Sequence, residues 1–265
     1  MNWLIRTFVL VALSLAAFAQ DPARKALDDS PRHHEWIDVK HGERKVRCFV
    51  VFPEVKEKAQ AVLVIHENKG LTDWVRSVAD RLAAEGFIAL APDLLSGSGP
   101  DGGDTSSFKS TDDATKAIYA LKPEQVKADL DAVAAHARKL EACNGMLSVA
   151  GFCWGGSQSF LYATQAKDVK AAFVFYGSAP TDEAVLAKLT CPVYGFYGEN
   201  DARISAGLPA TEEAIKKAGK TFEPVIYKGA GHGFVRAGEA TDASEANKAA
   251  RAEAWKRWLE LLRKK

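Results

Sequence analysis

Short apolar runs alternate along this chain with longer stretches whose apolar residues recur every three or four positions. The runs at 61–66 (AVLVIH), 87–91 (FIALA), 146–150, 171–176 and 193–197 have the length and continuity of strands buried on both faces. A shorter run follows at 224–227. Between the first two, Trp74, Val75, Val78, Leu82 and Ala83 share one helical face over 73–85, and Gly86 ends the helix. The stretch 123–141 opens with Pro123 at a first turn, where a missing N–H costs nothing, and predicts a second helix. From Ser244 onward, Trp255, Trp258, Leu259 and Leu262 form an apolar stripe opposite Lys and Arg, enough to dock a terminal helix on a sheet. Residues 35–39 and 45–52 read as a hairpin around His41-Gly42. The Gly-, Ser- and Asp-rich stretch 96–113 predicts a long loop beside a site. Alternating strands and helices, with no repeat and no linker, predict one α/β domain. Its sheet is doubly wound and mostly parallel, with helices on both faces.

The first twenty residues stand outside that pattern. Arg6 precedes an unbroken apolar run over 8–19 that closes on Ala17-Phe18-Ala19, followed by polar Gln20 and Asp21. These are the three parts of a Sec signal peptide, and the run is short for a bilayer span. The expectation is a cleaved leader over 1–19 and an exported domain over 20–265, periplasmic or secreted, without stable membrane association. No Cys follows the cleavage site and Arg6 stands alone, so neither a lipid anchor nor the twin-arginine route is indicated.

Composition narrows the partners. The 265 residues are 47% hydrophobic, and 35 Lys and Arg against 34 Asp and Glu leave a formal net charge of +1. Such a balance offers no field for nucleic acid. The expected partner is a small molecule, and the chain is expected to be a monomer. Four cysteines are present. Cys48, Cys143 and Cys191 lie in or beside apolar runs, where a thiol behaves as a small hydrophobe. A Cys143–Cys191 bridge stays open at this level, because spacing does not supply the Cα separation a bridge needs.

Cys153 is different. The run Val149-Ala150-Gly151-Phe152-Cys153-Trp154-Gly155-Gly156 carries a buried strand straight into Gly-x-Cys-x-Gly, and a helix is predicted from about 156 to 165. This is the nucleophile-elbow pattern with Cys in place of Ser. A nucleophile on so tight a turn has strained dihedrals, so the residues two positions either way must be small. The following helix aims its N-terminus at the sulfur, favouring thiolate and offering N–H groups to a developing oxyanion. The elbow also requires an acid after a later strand and a histidine after the last, in that order. Asp201 follows the strand at 193–197, and His232 follows the one at 224–227. Both sit at C-terminal strand ends, where open α/β sheets place their sites. Cys153, Asp201 and His232 are therefore the candidate catalytic residues.

At this point the chain resembles the dienelactone hydrolases, carboxymethylenebutenolidases of the α/β-hydrolase fold. The likeness runs from about His34 to Leu262 and includes HENKG (66–70), GFIALAPDLLSG (86–97), GFCWGG, YGENDAR and GAGHGF. The resemblance implies hydrolysis of a small lactone or carboxylic ester through Cys153, His232 and Asp201. It further implies that Glu67 contacts the nucleophile and helps deprotonate it when substrate arrives. Asn68 and Trp154 would supply the oxyanion-hole N–H groups, and Arg236 would bind a substrate carboxylate. The loop 96–104 departs from the cytoplasmic type in holding neither a second arginine nor a tyrosine. A broader esterase or thioesterase, and a non-catalytic exported binding protein on the same fold, are the alternative readings. A thiol redox protein would need a resolving cysteine near Cys153; the nearest in sequence, Cys143, lies at the other end of the same strand.

No cofactor or metal is expected. His66-Glu67 begins like the helical zinc motif, but Gly70 stands where its second histidine would be. His66, at the end of an apolar strand, reads as a structural histidine, and His33, His34 and His41 as surface residues.

Overall fold

The computed structural model describes residues 21–264, so the predicted leader lies outside the described residues. Its eight strands are β1 (His34–His41), β2 (Arg44–Val51), β3 (Ala59–Ile65), β4 (Ile88–Pro92), β5 (Cys143–Phe152), β6 (Ala172–Phe175), β7 (Val193–Gly198) and β8 (Phe222–Tyr227). They form one sheet in the order β1-β2-β4-β3-β5-β6-β7-β8. β1 and β2 are the predicted hairpin, and β2 also pairs antiparallel with β4. Every later pairing is parallel.

The sheet is wound in both directions from β3. β4 lies on one side of it and β5 on the other, and the helices Asp73–Ala84 and Pro123–Lys139 make the crossovers into them. Right-handed crossovers running in opposite directions put these helices on opposite faces. The strand period of two divides the core accordingly. Leu63, Ile65 and Val149 pack with Val126, Leu130, Val133 and Phe160 on one face. Val62, Val64, Phe152 and Phe175 pack with Val75, Val78, Leu82 and Trp258 on the other.

The C-terminal helix Glu245–Arg263 starts at Ser244, whose hydroxyl accepts from the Asn247 N–H. Its apolar stripe docks on the sheet as expected. Trp258 is fully buried, with its ring 4.9 Å from Phe175 and 6.0 Å from Phe152. Burial of a side chain that size stabilises the fold by about 2–3 kcal/mol. Among the described residues no helix is long and apolar enough to cross a membrane.

Local differences from the sequence reading have local causes. The loop expected over 96–113 contracts into short turns at Pro100–Gly102 and Thr105–Ser107, and the helix Thr111–Ala120 starts inside its end. That helix buries only Ala114 and Ile118, too sparse a stripe to show as periodicity. The helix Pro22–Asp28 buries Leu27 alone. The elbow helix runs Trp154–Ala163, starting two residues earlier than expected. All four cysteines are free, which closes the question of a Cys143–Cys191 bridge in this structure.

Two histidines read as surface residues are not so. His34 Nε2 lies 2.8 Å from Asp80 and His41 Nε2 2.6 Å from Asp129, both carboxylates being buried. These pairs tie the β1–β2 hairpin to the two helices that flank the sheet, and Arg32 and Arg44 complete them.

Candidate active site

The site assembles where the parallel strands end. β5 delivers Cys153 at φ 55°, ψ −116°, a conformation L-residues rarely adopt, costing about 1–3 kcal/mol. The surrounding glycines show what enforces it. A Cβ on Gly151 would stand 1.9 Å from the Gly155 carbonyl oxygen, and one on Gly155 2.3 Å from that of His66. Strand, elbow and neighbouring β3 loop are in backbone contact there, so only glycine fits. Across the next gap, a Cβ on Gly198 would stand 2.5 Å from the Ala230 carbonyl oxygen. That approach brings the loop after β7 against the loop after β8.

The three predicted residues meet. His232 Nε2 and Cys153 Sγ are 3.2 Å apart, and His232 Nδ1 and Asp201 Oδ2 are 2.5 Å apart. Asp201 is buried and Cys153 partly exposed, so the chain of contacts runs from the interior to the surface. The hydrogen bond to Cys153 pushes His232 up to about 9; partial burial opposes this, and the Asp201 carboxylate behind the ring adds to it. The imidazolium is thus the form this setting favours near neutral pH. The loop that carries His232 is pinned by Glu199, which accepts from the Gly229 N–H, and by Asn247, which accepts from the Gly231 N–H.

The other expected residues lie around this line. Trp154 is the first residue of the elbow helix and Asn68 follows β3 in the adjacent loop. Neither N–H is engaged by a protein acceptor among the described residues. Glu67 is buried, and its Oε2 accepts from Arg236 Nε at 2.9 Å. Burial would lower the Arg236 guanidinium, but the Glu67 carboxylate outweighs it and holds the pKa above the ordinary arginine value. Among the described residues Glu67 makes no hydrogen bond to Cys153; Arg236 occupies it instead. His66 is a structural residue: its Nδ1 lies 2.8 Å from the Glu67 carbonyl oxygen, and its Nε2 accepts from the Leu94 N–H. It stacks on Trp154 at 5.6 Å, joining the β3 loop to the elbow.

One residue at the site has no mark in the sequence. Tyr176, just after β6, packs its ring edge-on to His232 at 5.2 Å. A cleft of about 360 Å³ opens beyond it, between Gly177–Thr181 and Ile204–Ala214. Among the described residues no group of three or more His, Cys, Asp or Glu could hold a metal ion.

The family model of the dienelactone hydrolases matches residues 46–265. The chain belongs to the dienelactone hydrolase family. A candidate carboxymethylenebutenolidase of Methylorubrum extorquens is 36% identical over 185 residues, which is 65% of this chain and 62% of that protein. One from Saccharolobus solfataricus is 30% identical over 253 residues, covering 83% of this chain and 94% of that protein. Among solved structures, a candidate dienelactone hydrolase from Klebsiella pneumoniae superposes with a TM-score of 0.77 at 26% identity, covering 88% of this chain and 99% of its own. The eight-stranded, doubly wound sheet is thus the dienelactone hydrolase form of the α/β-hydrolase fold.

Proposed function

We propose that this dienelactone hydrolase-family chain hydrolyses a small carboxylic ester or lactone through Cys153, His232 and Asp201. The observation that carries the reading is the continuous line from Sγ through the imidazole to a buried carboxylate, at an elbow whose neighbouring N–H groups have no protein acceptor among the described residues. The thiolate of Cys153 attacks the substrate carbonyl, and the Trp154 and Asn68 N–H groups receive the oxyanion. His232 gives its proton to the leaving oxygen as the acyl thioester forms. It then takes a proton from the water that releases the acid and regenerates the thiol system. Asp201 holds the ring in the tautomer and orientation that both steps need.

Arg236 sets the substrate class. Its side chain is 47% exposed, so it can exchange the Glu67 carboxylate for one carried by the substrate. Glu67, once released, sits beside the site as a proton acceptor for the thiol, so thiolate forms when substrate is present. A carboxylate-bearing lactone or ester is therefore the preferred substrate.

We further infer that the protein works outside the cytoplasm as a monomer. Arg6, the apolar run 8–19 and Ala17-Phe18-Ala19 support a cleaved leader. The experiment is a panel of lactones, aryl esters and thioesters given to the wild type and to Cys153→Ala. Loss of all turnover with retained fold is expected. Near-native hydrolysis by Cys153→Ala would overturn the reading and leave the non-catalytic binding protein in its place.

A further inference from the structure

The turn that carries Arg236 is held from both ends. Phe234 and Val235, just before it, are buried on the core face that holds Phe152 and Trp258. The turn Phe234–Ala237 ends at Gly238, where a Cβ would stand 2.6 Å from the Asn247 carbonyl oxygen, so the chain passes in close backbone contact with the C-terminal helix. Glu239 follows, and its N–H donates to the Arg236 carbonyl oxygen at 3.1 Å. Its carboxylate collects three donors from two other helices. Trp74 Nε1 and Arg251 Nε each donate at 3.1 Å, and Arg81 Nη1 is the third. Trp74 and Arg81 belong to the helix Asp73–Ala84, and Arg251 to the C-terminal helix.

Two features set this cluster apart from the exposed ion pairs of the surface. Trp74 is buried, and its ring stands edge-on at 5.1 Å to Phe152, the residue before Cys153. One indole thus contacts both the elbow strand and Glu239. Arg81 has Nε and Nη2 buried with no hydrogen-bond partner, while its guanidinium lies over the Trp255 ring at 5.2 Å. Unmatched buried N–H groups are unfavourable, and what the guanidinium gains in that place is the Glu239 carboxylate and the Trp255 face. The Glu239 carboxylate is therefore braced against the elbow strand and the terminal helix, three residues after Arg236.

We propose that Glu239 is a positioning residue for Arg236. It fixes the backbone of the turn Phe234–Ala237, so that the guanidinium alone moves between Glu67 and a substrate carboxylate. The inference rests on the reading of Arg236 above and deepens it. If the turn were loose, a substrate that engages Arg236 would have to order the backbone as well as the side chain, and that ordering is subtracted from affinity. With Glu239 in place the exchange is a side-chain movement on a fixed base, and Glu67 is released as the thiol proton acceptor without the turn following it. A neutral substrate leaves Arg236 on Glu67 and makes no demand on this anchor.

The test is Glu239→Gln, which keeps the shape of the side chain and removes the charge that holds Arg81 and Arg251. KM for a carboxylate-bearing ester is expected to rise by roughly three- to tenfold, and for the matched neutral ester by less than about twofold. kcat for both should stay within about threefold. The melting temperature should fall, as it would for a merely structural residue, so the ratio of the two KM values is the deciding readout. Arg251→Ala removes one of the three donors at a more exposed position; it should move the ratio the same way by about twofold, and it carries the test if Glu239→Gln does not fold. Arg236→Ala, measured in parallel, separates this inference from the one beneath it. If Arg236→Ala discriminates between the two esters while the Glu239 and Arg251 variants do not, the role of Glu239 is overturned and that of Arg236 stands. If Arg236→Ala itself fails to discriminate, the reading of Arg236 falls and this one with it. In the Arg236→Ala background the effect of Glu239→Gln on the KM ratio should vanish; a full additive effect would also overturn the proposal.

Discussion

Replacing Asp201 by Asn keeps the shape of the side chain and removes the charge behind His232. The contact is 2.5 Å, with the carboxylate 7% exposed and the imidazole 35% exposed. A charge-assisted hydrogen bond contributes about 2 kcal/mol and a neutral one about 1. Solvent around the ring discounts the difference, which then corresponds to somewhat less than one pKa unit. His232, pushed up to about 9 in the wild type, should therefore fall by up to about one unit. The amide can also present its NH2 to Nδ1 and impose the wrong tautomer, which in such triads costs far more than the charge. Together these predict a loss in kcat of about 10²- to 10⁴-fold with little change in KM. The charge effect can be read separately by alkylating Cys153 with iodoacetamide across roughly pH 5–9. Cys48, Cys143 and Cys191 are buried, and burial pushes the Cys191 thiol up to about 11 and the Cys48 thiol higher still. The reagent therefore reports Cys153. In Asp201→Asn the step in alkylation that follows loss of the His232 proton should move to lower pH by up to about one unit. An unchanged profile with kcat within about threefold of wild type would refute the assignment of Asp201 as the partner of His232.

Three further outcomes follow from contacts outside the candidate triad. Gly155→Ala places a Cβ 2.3 Å from the His66 carbonyl oxygen and 2.4 Å from that of Ile65, so little soluble folded protein is expected; Gly231→Ala, with nothing within 4 Å, should fold normally, and circular dichroism compares the two. Asp129→Ala strands Arg44, which donates to Asp129 from Nε and Nη2 at 2.8 Å, and should cost about 3–5 kcal/mol in guanidinium unfolding without altering kcat. Burial would raise the Asp80 pKa, but hydrogen bonds from Arg32, Ser30 and His34 outweigh it and hold the carboxyl below its usual range. A depressed carboxylate adds stability above its unfolded pKa of about 3.9 that is lost as pH falls below it, so Asp80→Asn should weaken the fold at pH 7 and flatten its acid loss between about pH 4 and 2.

What the sequence by itself determined is what repeats locally. Strand and helix periods come from backbone geometry, so β3, β4, β7 and the helix Asp73–Ala84 could be read to within about two residues. The elbow was legible for the same reason, because its strain must be answered by glycines at fixed offsets, Gly151 and Gly155. Asp201 and His232 followed from strand order, since loops at the C-terminal ends of a doubly wound sheet converge. The tertiary structure decided the pairings between distant positions. Arg236 meets Glu67 across 169 residues. His34 and His41 find buried carboxylates instead of solvent. Tyr176 turns inward because Gly177 must pass close to Gly156. None of these leaves a periodic trace, because a contact between two surfaces depends on how the layers stack, and each surface alone carries only a polar or aromatic residue like many others.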